Sequence, residues 1–249
     1  MPSDTLATLR RRAALALFAG LLAGPALPAL AQTAAPRTGD AKTIGIIGGG
    51  NIGGTLAALW AKAGYAVIVS SRHPEELKGL VETLGPNARA ATPAEAIAAA
   101  DAVLVAVPYK AYPELGAAVA AALKGKVVLD AGNATKARDG ALYDEVQANG
   151  IGATSAKYFP GARLVRAFNA ANFKVFQKNA NRPAPRMAIP IAGDDAAALD
   201  AAKRLVTDAG FDPVVVGPLQ DAGKFAMGAP GFGLDLPAPE LRTALGVAP

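Results

Sequence analysis

The feature that most constrains this chain is a glycine-rich turn between an apolar run and a helical pattern. Residues 44–47 include three isoleucines, which predicts a buried strand, and residues 55–63 have the pattern of a helix. Gly48, Gly50 and Gly53 lie in this region with G-x-G-x-x-G spacing. In that setting the first glycine allows a tight turn, the second admits a pyrophosphate, and the third lets helix and strand pack closely. We therefore predict a dinucleotide site; the alternative is a glycine turn with a purely structural role.

The first 31 residues have the order of an export signal. Three consecutive arginines at 10–12 precede an apolar stretch at 13–23, and an A-x-A cleavage site follows at 29–31. The arginines resemble a twin-arginine signal, although Ala14 stands where that pattern has phenylalanine. We predict a signal peptide over 1–31, a linker over 32–41, and a periplasmic or secreted protein. The general secretory route stays open, and a leader that is only a disordered extension would leave the protein cytoplasmic.

Composition excludes several classes of site. The chain of 249 residues has a formal net charge of +5 and no cysteine, so disulfides, thiolate metal sites and cysteine nucleophiles are ruled out. We predict no metal site. The charges are scattered rather than clustered, which argues against nucleic acid as a partner. The apolar leader is short and is broken by Pro25 and Pro28, so we expect no stable membrane span after cleavage.

Strands and helices alternate along the rest of the chain. This spacing predicts an α/β fold with a Rossmann-like, doubly wound, mostly parallel sheet. Predicted strands are at 44–47, 65–71, 89–91, 101–107 and 126–130, with further ones at 164–168, 187–191 and 213–216 that we expect to extend the same sheet. We assign 42–150 to an NADP-binding Rossmann domain and 151–249 to an extension that completes the sheet and the substrate side.

Within that extension the pattern is less regular. Asp194 is predicted to cap a helix that ends at Gly210. Residues 169–185 are polar and irregular, and the tail from residue 223 is rich in glycine and proline. We assign no helix or strand to either of these stretches.

The end of the second strand indicates which dinucleotide binds. A carboxylate about 20 residues after the glycines binds the ribose 2′-hydroxyl of NAD. Here the chain has Ser70, Ser71 and Arg72 instead, and hydroxyls with a guanidinium suit a 2′-phosphate. We therefore predict NADP(H), the alternative being that Arg72 is a solvated loop residue.

Five motifs together resemble those of 8-hydroxy-5-deazaflavin:NADPH oxidoreductases and of the reductase domain of STEAP metalloreductases. They are IGIIGGGNIG at 44–53, SSR at 70–72, VP at 107–108, VLDAGN at 128–133 and VRAFN at 165–169, and the likeness covers roughly 42–219. The resemblance implies transfer of a hydride between NADPH and a flavin- or deazaflavin-like acceptor. Ala134 and Ala170 depart from the family pattern, in which proline and threonine often follow the two asparagines.

The resemblance also implies the roles of individual residues. Gly50, Asn51 and Ile52 would contact the pyrophosphate, and Ser71 and Arg72 the 2′-phosphate. The remaining cofactor contacts, at the ribose and nicotinamide, would be Val107, Pro108, Gly132 and Asn133.

No strong acid or base is evident for catalysis. His73 is the only histidine and lies beside Arg72, so Asn133 and Asn169 are the candidate catalytic residues, as groups that orient a ring or an amide. Hydride transfer requires ring alignment more than proton transfer. Alternatively, Asn133 and Asn169 are turn residues at strand ends with no catalytic role.

Two other functions remain open. One is a non-catalytic NAD(P)-binding module, acting as a sensor or partner subunit, and the other is an imine reductase similar to pyrroline-5-carboxylate reductase. The strands predicted after residue 161 argue against the second, whose partner domain should be helical. We expect a small-molecule redox acceptor as partner and leave a homodimer open.

Overall fold

The protein is described by a computed structural model covering residues 42–248. The predicted leader and linker lie outside the described residues. Eight strands form one sheet: β1 (Thr43–Ile47), β2 (Ala66–Ser70), β3 (Ala88–Ala91), β4 (Ala102–Val105), β5 (Val127–Asp130), β6 (Arg163–Arg166), β7 (Ala188–Gly193) and β8 (Asp212–Gly217).

The strand order is β3-β2-β1-β4-β5-β6-β7-β8, and all neighbours run parallel except β6 and β7. The predicted fold class is therefore confirmed, including the extension of the sheet by strands from the C-terminal part. The sheet continues across residue 150, and the division of the chain into domains at that point stays a prediction.

Helices cover both faces of the sheet. They are α1 (Asn51–Lys62), α2 (Lys78–Leu84), α3 (Pro93–Ala99), α4 (Tyr112–Leu123), α5 (Lys136–Asp139), α6 (Ala141–Asn149), α7 (Ile151–Tyr158), α8 (Phe173–Asn179), α9 (Ala196–Asp208) and α10 (Ala238–Leu245), with 3-10 turns at Pro74–Leu77, Tyr109–Ala111 and Leu219–Phe225. Within residues 42–248 no helix combines the length and apolarity needed to cross a membrane.

Two large hydrophobic clusters, one on each face, and a third, small one of Ile68, Ala91 and Ala96 account for the continuous apolar character of the strands. β4 is buried along its whole length, as expected for a parallel strand covered by helices on both sides. In one cluster Trp60 of α1 is fully buried and donates a hydrogen bond of 2.9 Å to the carbonyl of Leu205 in α9. That bond ties the first helix to the C-terminal half of the sheet.

Several local predictions need correction. Helix α1 begins at Asn51 rather than residue 55, because a helix tolerates Gly53 and Gly54 when its face packs on the sheet. Helix α9 is capped by Asp195, whose carboxylate accepts from Ala198 N, and it ends before Gly210. Asp194 instead accepts a hydrogen bond from Leu219 N at 2.8 Å.

The two stretches to which no helix or strand was assigned contain helices. Residues 169–185 include α8, which Asn172 caps by accepting from Lys174 N at 3.0 Å. The tail includes α10, which buries Leu241 and Leu245 in the second cluster. Both helices are short, so tertiary packing stabilises them more than local propensity does.

Candidate functional site

The glycine loop connects β1 to α1 at the carboxyl edge of the sheet. Gly48 has a φ of +106°, and a Cβ there would lie 2.6 Å from the carbonyl oxygen of Ala106. A Cβ on Gly53 would lie 1.9 Å from the carbonyl oxygen of Gly48. The fold itself therefore requires glycine at the first and third positions of the motif.

Gly50 differs from the other two. A Cβ at this position would meet no protein atom within 4 Å, so packing does not require glycine there. Gly50 is the N-cap of α1, where no side chain caps the helix and no acidic residue occupies the first turn. The start of α1 is thus open to an anion, as dinucleotide-binding loops require.

One cavity of about 470 Å³ lies beside this loop, and we name it the Arg72 cavity. Its lining includes Gly48, Ser71, Arg72, Thr92, Val107, Pro108, Lys110 and Glu114. Ser71 Oγ accepts a hydrogen bond from His73 N at 2.9 Å. The structure therefore brings the two residues predicted for the 2′-phosphate to one cavity with Val107 and Pro108.

The same cavity contains a carboxylate that sequence reasoning missed. Glu114 of α4 lies opposite Arg72, with Oε1 3.5 Å from Nη1, and the two side chains are 74% and 79% exposed. The end of β2 itself carries no carboxylate, as predicted, but the fold supplies one from another element. No local signal could have identified it, because α4 follows β4 and reaches the site only through the strand order.

A second cavity of about 530 Å³, the Asn133 cavity, lies on the other side of Val107 and Pro108. Its lining includes Gly50, Asn51, Ile52, Gly132, Asn133, Arg138, Phe168, Phe173, Met227 and Phe232. Gly53 lines neither cavity. Val107 and Pro108 line both cavities, so a dinucleotide can extend from one to the other past the start of α1.

The two asparagines proposed for catalysis occupy different positions. Asn133 lines the cavity, donates from Nδ2 to the carbonyl of Asn169 at 2.7 Å, and accepts at Oδ1 from Met227 N at 3.2 Å. Asn169 is buried, lines neither cavity, and its side-chain amide has no partner among residues 42–248. Asn133 is therefore placed to contact a ligand, whereas Asn169 acts on the cavity only through its backbone.

A buried polar network fixes the turn that precedes Asn133. Asp130 Oδ1 accepts from Gly132 N at 2.9 Å and from the Tyr112 hydroxyl at 2.5 Å. Arg166 lies with Nη1 2.6 Å from Asp130 Oδ2, and its Nη2 donates to the carbonyl of Gly132. A Cβ on Gly132 would lie 2.0 Å from the Tyr112 hydroxyl oxygen. The N–H and the carbonyl of Gly132 are thus both hydrogen-bonded to charged side chains, those of Asp130 and Arg166, that are inaccessible to solvent.

The protonation states in this network follow from burial and charge. Burial and the nearby Asp130 carboxylate raise the pKa of Tyr112 well above its usual range, so it stays a donor. Burial alone would lower the pKa of Arg166, but Asp130 and the tyrosines Tyr112 and Tyr109 outweigh it and raise that pKa. Tyr112 and Arg166 therefore both keep their protons at neutral pH and act as fixed hydrogen-bond donors in this network.

Comparisons with known proteins show which families this chain resembles. Residues 43–134 match the family model "NADP oxidoreductase coenzyme F420-dependent". Metalloreductase STEAP3 of Rattus norvegicus is 28% identical over 186 residues, which is 74% of this chain but 35% of that protein. The chain thus spans about a third of that relative's length.

Solved structures show the same architecture. A hypothetical protein from Sinorhizobium meliloti is 27% identical with a TM-score of 0.67, covering 79% of this chain and 95% of that one. A putative F420-dependent NADP-reductase from Arthrobacter sp. FB24 is 23% identical with a TM-score of 0.63, covering 79% and 99%. An imine reductase from Myxococcus stipitatus in complex with NADP+ is 19% identical with a TM-score of 0.53, covering 73% and 57%.

The matched segment begins at β1 and ends beside Asn133, so it includes the glycine loop, the end of β2 and the turn after β5. These are the elements that border the two cavities. Over residues 43–134, the chain is similar to the family of coenzyme F420-dependent NADP oxidoreductases.

Proposed function

We propose that the protein is an NADP(H)-dependent oxidoreductase that transfers a hydride between NADPH and a flavin- or deazaflavin-like acceptor. The observation that carries the proposal is the open position of Gly50, which packing does not require to be glycine. It lies at the start of α1 and lines the Asn133 cavity. A glycine is needed there only if a ligand comes against the backbone, as a pyrophosphate does.

The chain's residues would hold the dinucleotide along its length. The N–H groups at the start of α1 would bind the pyrophosphate, and Ser71 and Arg72 the 2′-phosphate. Val107 and Pro108 would border the ribose, and the clamped Gly132 peptide with Asn133 would border the nicotinamide. Bound NADPH supplies a hydride, which carries two electrons, and the acceptor takes it with one proton from solvent.

The acceptor would lie in the remaining part of the Asn133 cavity. Phe173, Met227 and Phe232 give that part an apolar surface, which suits a planar ring. No histidine or cysteine lines the cavity, so the proposed mechanism relies on ring alignment by a rigid surface rather than on a side-chain acid.

Nucleotide binding tests the proposal directly. NADPH should bind the wild type, and Gly50→Ala should weaken binding at least about tenfold because its methyl group occupies the pyrophosphate's space. Gly79→Ala is the matched control: Gly79 lies in α2, its Cβ also meets nothing within 4 Å, and it lines neither cavity. Equal NADPH affinity in the two variants would mean that the loop has only a structural role.

Turnover distinguishes an enzyme from a binding module. NADPH oxidation should be followed with FMN, riboflavin and a deazaflavin, and separately with a cyclic imine. Oxidation with a ring acceptor supports the proposal. Tight binding of NADPH with no oxidation by any of these compounds would favour the non-catalytic module instead. Oxidation with the imine alone would favour an imine reductase, whose known structures share this fold over 57% of their length.

We further propose that the protein functions outside the cytoplasm, in the periplasm or as a secreted protein. The arginines at 10–12, the apolar stretch and the A-x-A site support this location. Because NADPH is not freely supplied there, a folded protein exported with its nucleotide would reconcile the location with the proposed activity.

A further inference from the structure

The Asn133 cavity has two unlike walls. One wall is formed by residues 50–52 and by the turns after β4 and β5, which would be covered by the dinucleotide. The other is formed by Phe173 of α8 and by Met227 and Phe232 from the segment before α10. The second wall is left for the acceptor.

This second wall is apolar, and hydrogen bonds donated by its backbone N–H groups fix its position. Met227 is 47% exposed and is the one exposed large hydrophobic residue within the described part of the chain. Its backbone N–H donates to Asn133 Oδ1 at 3.2 Å, and Gly233 N donates to the carbonyl of Ala170 at 2.7 Å. Together with Phe173 and Phe232, Met227 gives this part of the cavity an apolar lining.

Arg138 is the charged residue among those lining this cavity. Its guanidinium donates from Nε to Asp139 Oδ1 at 3.0 Å and from Nη2 to Asp139 Oδ2 at 2.9 Å, and Nη2 also donates to the carbonyl of Asn133. Asp139 is itself fixed, because it accepts from Lys110 N at 2.9 Å and Thr135 N at 2.6 Å. The guanidinium therefore has a defined orientation beside the cavity.

One nitrogen of the Arg138 guanidinium donates no hydrogen bond within the described residues. The Arg138 side chain is 42% exposed, and among residues 42–248 no acceptor engages its Nη1, which carries two N–H donors. Burial opposes ionisation of Asp139, but the hydrogen bonds from Arg138, Thr135 and Lys110 outweigh it and lower its pKa. The Asp139 carboxylate is thus ionised at neutral pH, and the two free N–H donors belong to a guanidinium, which suits an oxyanion.

We propose that Arg138 binds an anionic group of the acceptor, so that the preferred acceptor is a planar ring bearing a phosphate or carboxylate. The inference rests on the proposed function, because it assigns the second substrate of that site. A preoriented guanidinium favours an oxyanion through charge-assisted hydrogen bonds. It disfavours a cationic imine in the same place, since like charges repel.

FMN and riboflavin test this assignment because they share a ring and differ in one phosphate. Their affinities should be measured by quenching of flavin fluorescence on the NADP+-saturated protein. We expect wild type to bind FMN about five- to tenfold more tightly than riboflavin. Arg138→Gln should remove that preference and leave riboflavin affinity unchanged. Lys136→Gln is the control, because Lys136 is an exposed cation on the same helix that does not line the cavity.

A second variant separates anion binding from loss of the Asp139 partner. Arg138→Lys keeps a cation beside Asp139 but has one nitrogen, so it should also lose most of the FMN preference while the protein stays folded. Unchanged riboflavin affinity in both variants confirms that the apolar wall is intact.

Two results would overturn the assignment. One is a wild type with equal affinity for FMN and riboflavin. The other is an Arg138→Gln variant whose NADPH affinity falls while its FMN preference remains, which would place the guanidinium at the nucleotide. Failure of the wild type to bind NADPH at all would refute the proposed function instead, and NADPH titration of the wild type distinguishes the two failures.

Discussion

Replacing Glu114 by glutamine tests how the Arg72 cavity recognises the ribose phosphate. The Glu114 carboxylate lies 3.5 Å from the Arg72 guanidinium. A 2′-phosphate that binds Arg72 must compete with this carboxylate and is repelled by it. We therefore expect Glu114→Gln to bind NADPH more tightly than wild type does, with little change in NADH affinity, because NADH carries no 2′-phosphate.

The geometry of the pair sets the size of the effect. Two unit charges at this separation interact by about 1 kcal/mol in water, and exposed pairs contribute roughly 0.2–1 kcal/mol after screening and loss of side-chain freedom. Both side chains are mostly exposed, so we expect roughly a two- to fivefold gain in NADPH affinity. The gain should shrink as ionic strength rises from about 0.01 M to 1 M, because the Debye length falls from about 30 Å to 3 Å.

Isothermal titration of NADPH and NADH into four proteins completes the test: wild type, Glu114→Gln, Arg72→Gln and the double variant. Arg72→Gln should weaken NADPH binding by about tenfold, since it removes a charge-assisted hydrogen bond. If both residues act on the same phosphate, their effects will not add. Equal affinities of wild type for NADPH and NADH would refute the assignment of Arg72. If Glu114→Gln raises the affinity for NADH as much as that for NADPH, the Glu114 carboxylate does not compete with the 2′-phosphate for Arg72.

Three further predictions concern stability and location. Arg166→Met should lower the free energy of unfolding in urea by about 3–5 kcal/mol because it leaves the buried Asp130 carboxylate unpaired; a change below about 1 kcal/mol would contradict a buried ion pair. Gly53→Ala should destabilise the fold by about 2 kcal/mol or more, since its Cβ would lie 1.9 Å from a backbone oxygen of the loop, and thermal melting beside Gly50→Ala checks this. Replacing Arg11 and Arg12 by lysine should leave an unprocessed precursor in the cytoplasm if a twin-arginine receptor reads the guanidinium pair. Fractionation and N-terminal sequencing decide between that route, the general secretory route, and retention of intact wild type in the cytosol.

Local patterns predicted the glycine loop and the elements on either side of it. The isoleucines of β1 and the spacing of Gly48, Gly50 and Gly53 predicted the strand, the turn and a helix after it, and the structure has all three, although the helix begins four residues earlier than predicted. The strands could be identified because both faces of a parallel sheet are buried, so the apolar signal is continuous and does not depend on distant residues. The capping box of α3 depends in the same way on nearby residues, because Thr92 and Glu95 are three positions apart in the sequence.

The tertiary structure decided which side chains surround the cavities. Glu114 faces Arg72, and Arg138 lies beside Asn133 next to Met227, because strand order and crossovers bring these elements to one edge of the sheet. The residues next to Glu114 or Arg138 in the sequence do not indicate these contacts.

The same limit applies to parts of the fold. Helices α8 and α10 occupy stretches that are polar or rich in proline, and they form because their few apolar residues pack on the sheet rather than because of local propensity. The reversal of direction between β6 and β7 is likewise a property of the assembled sheet. Periodicity along the chain reports which residues are buried, whereas the partners of a side chain depend on the path of the chain between them, and only the folded molecule specifies that path.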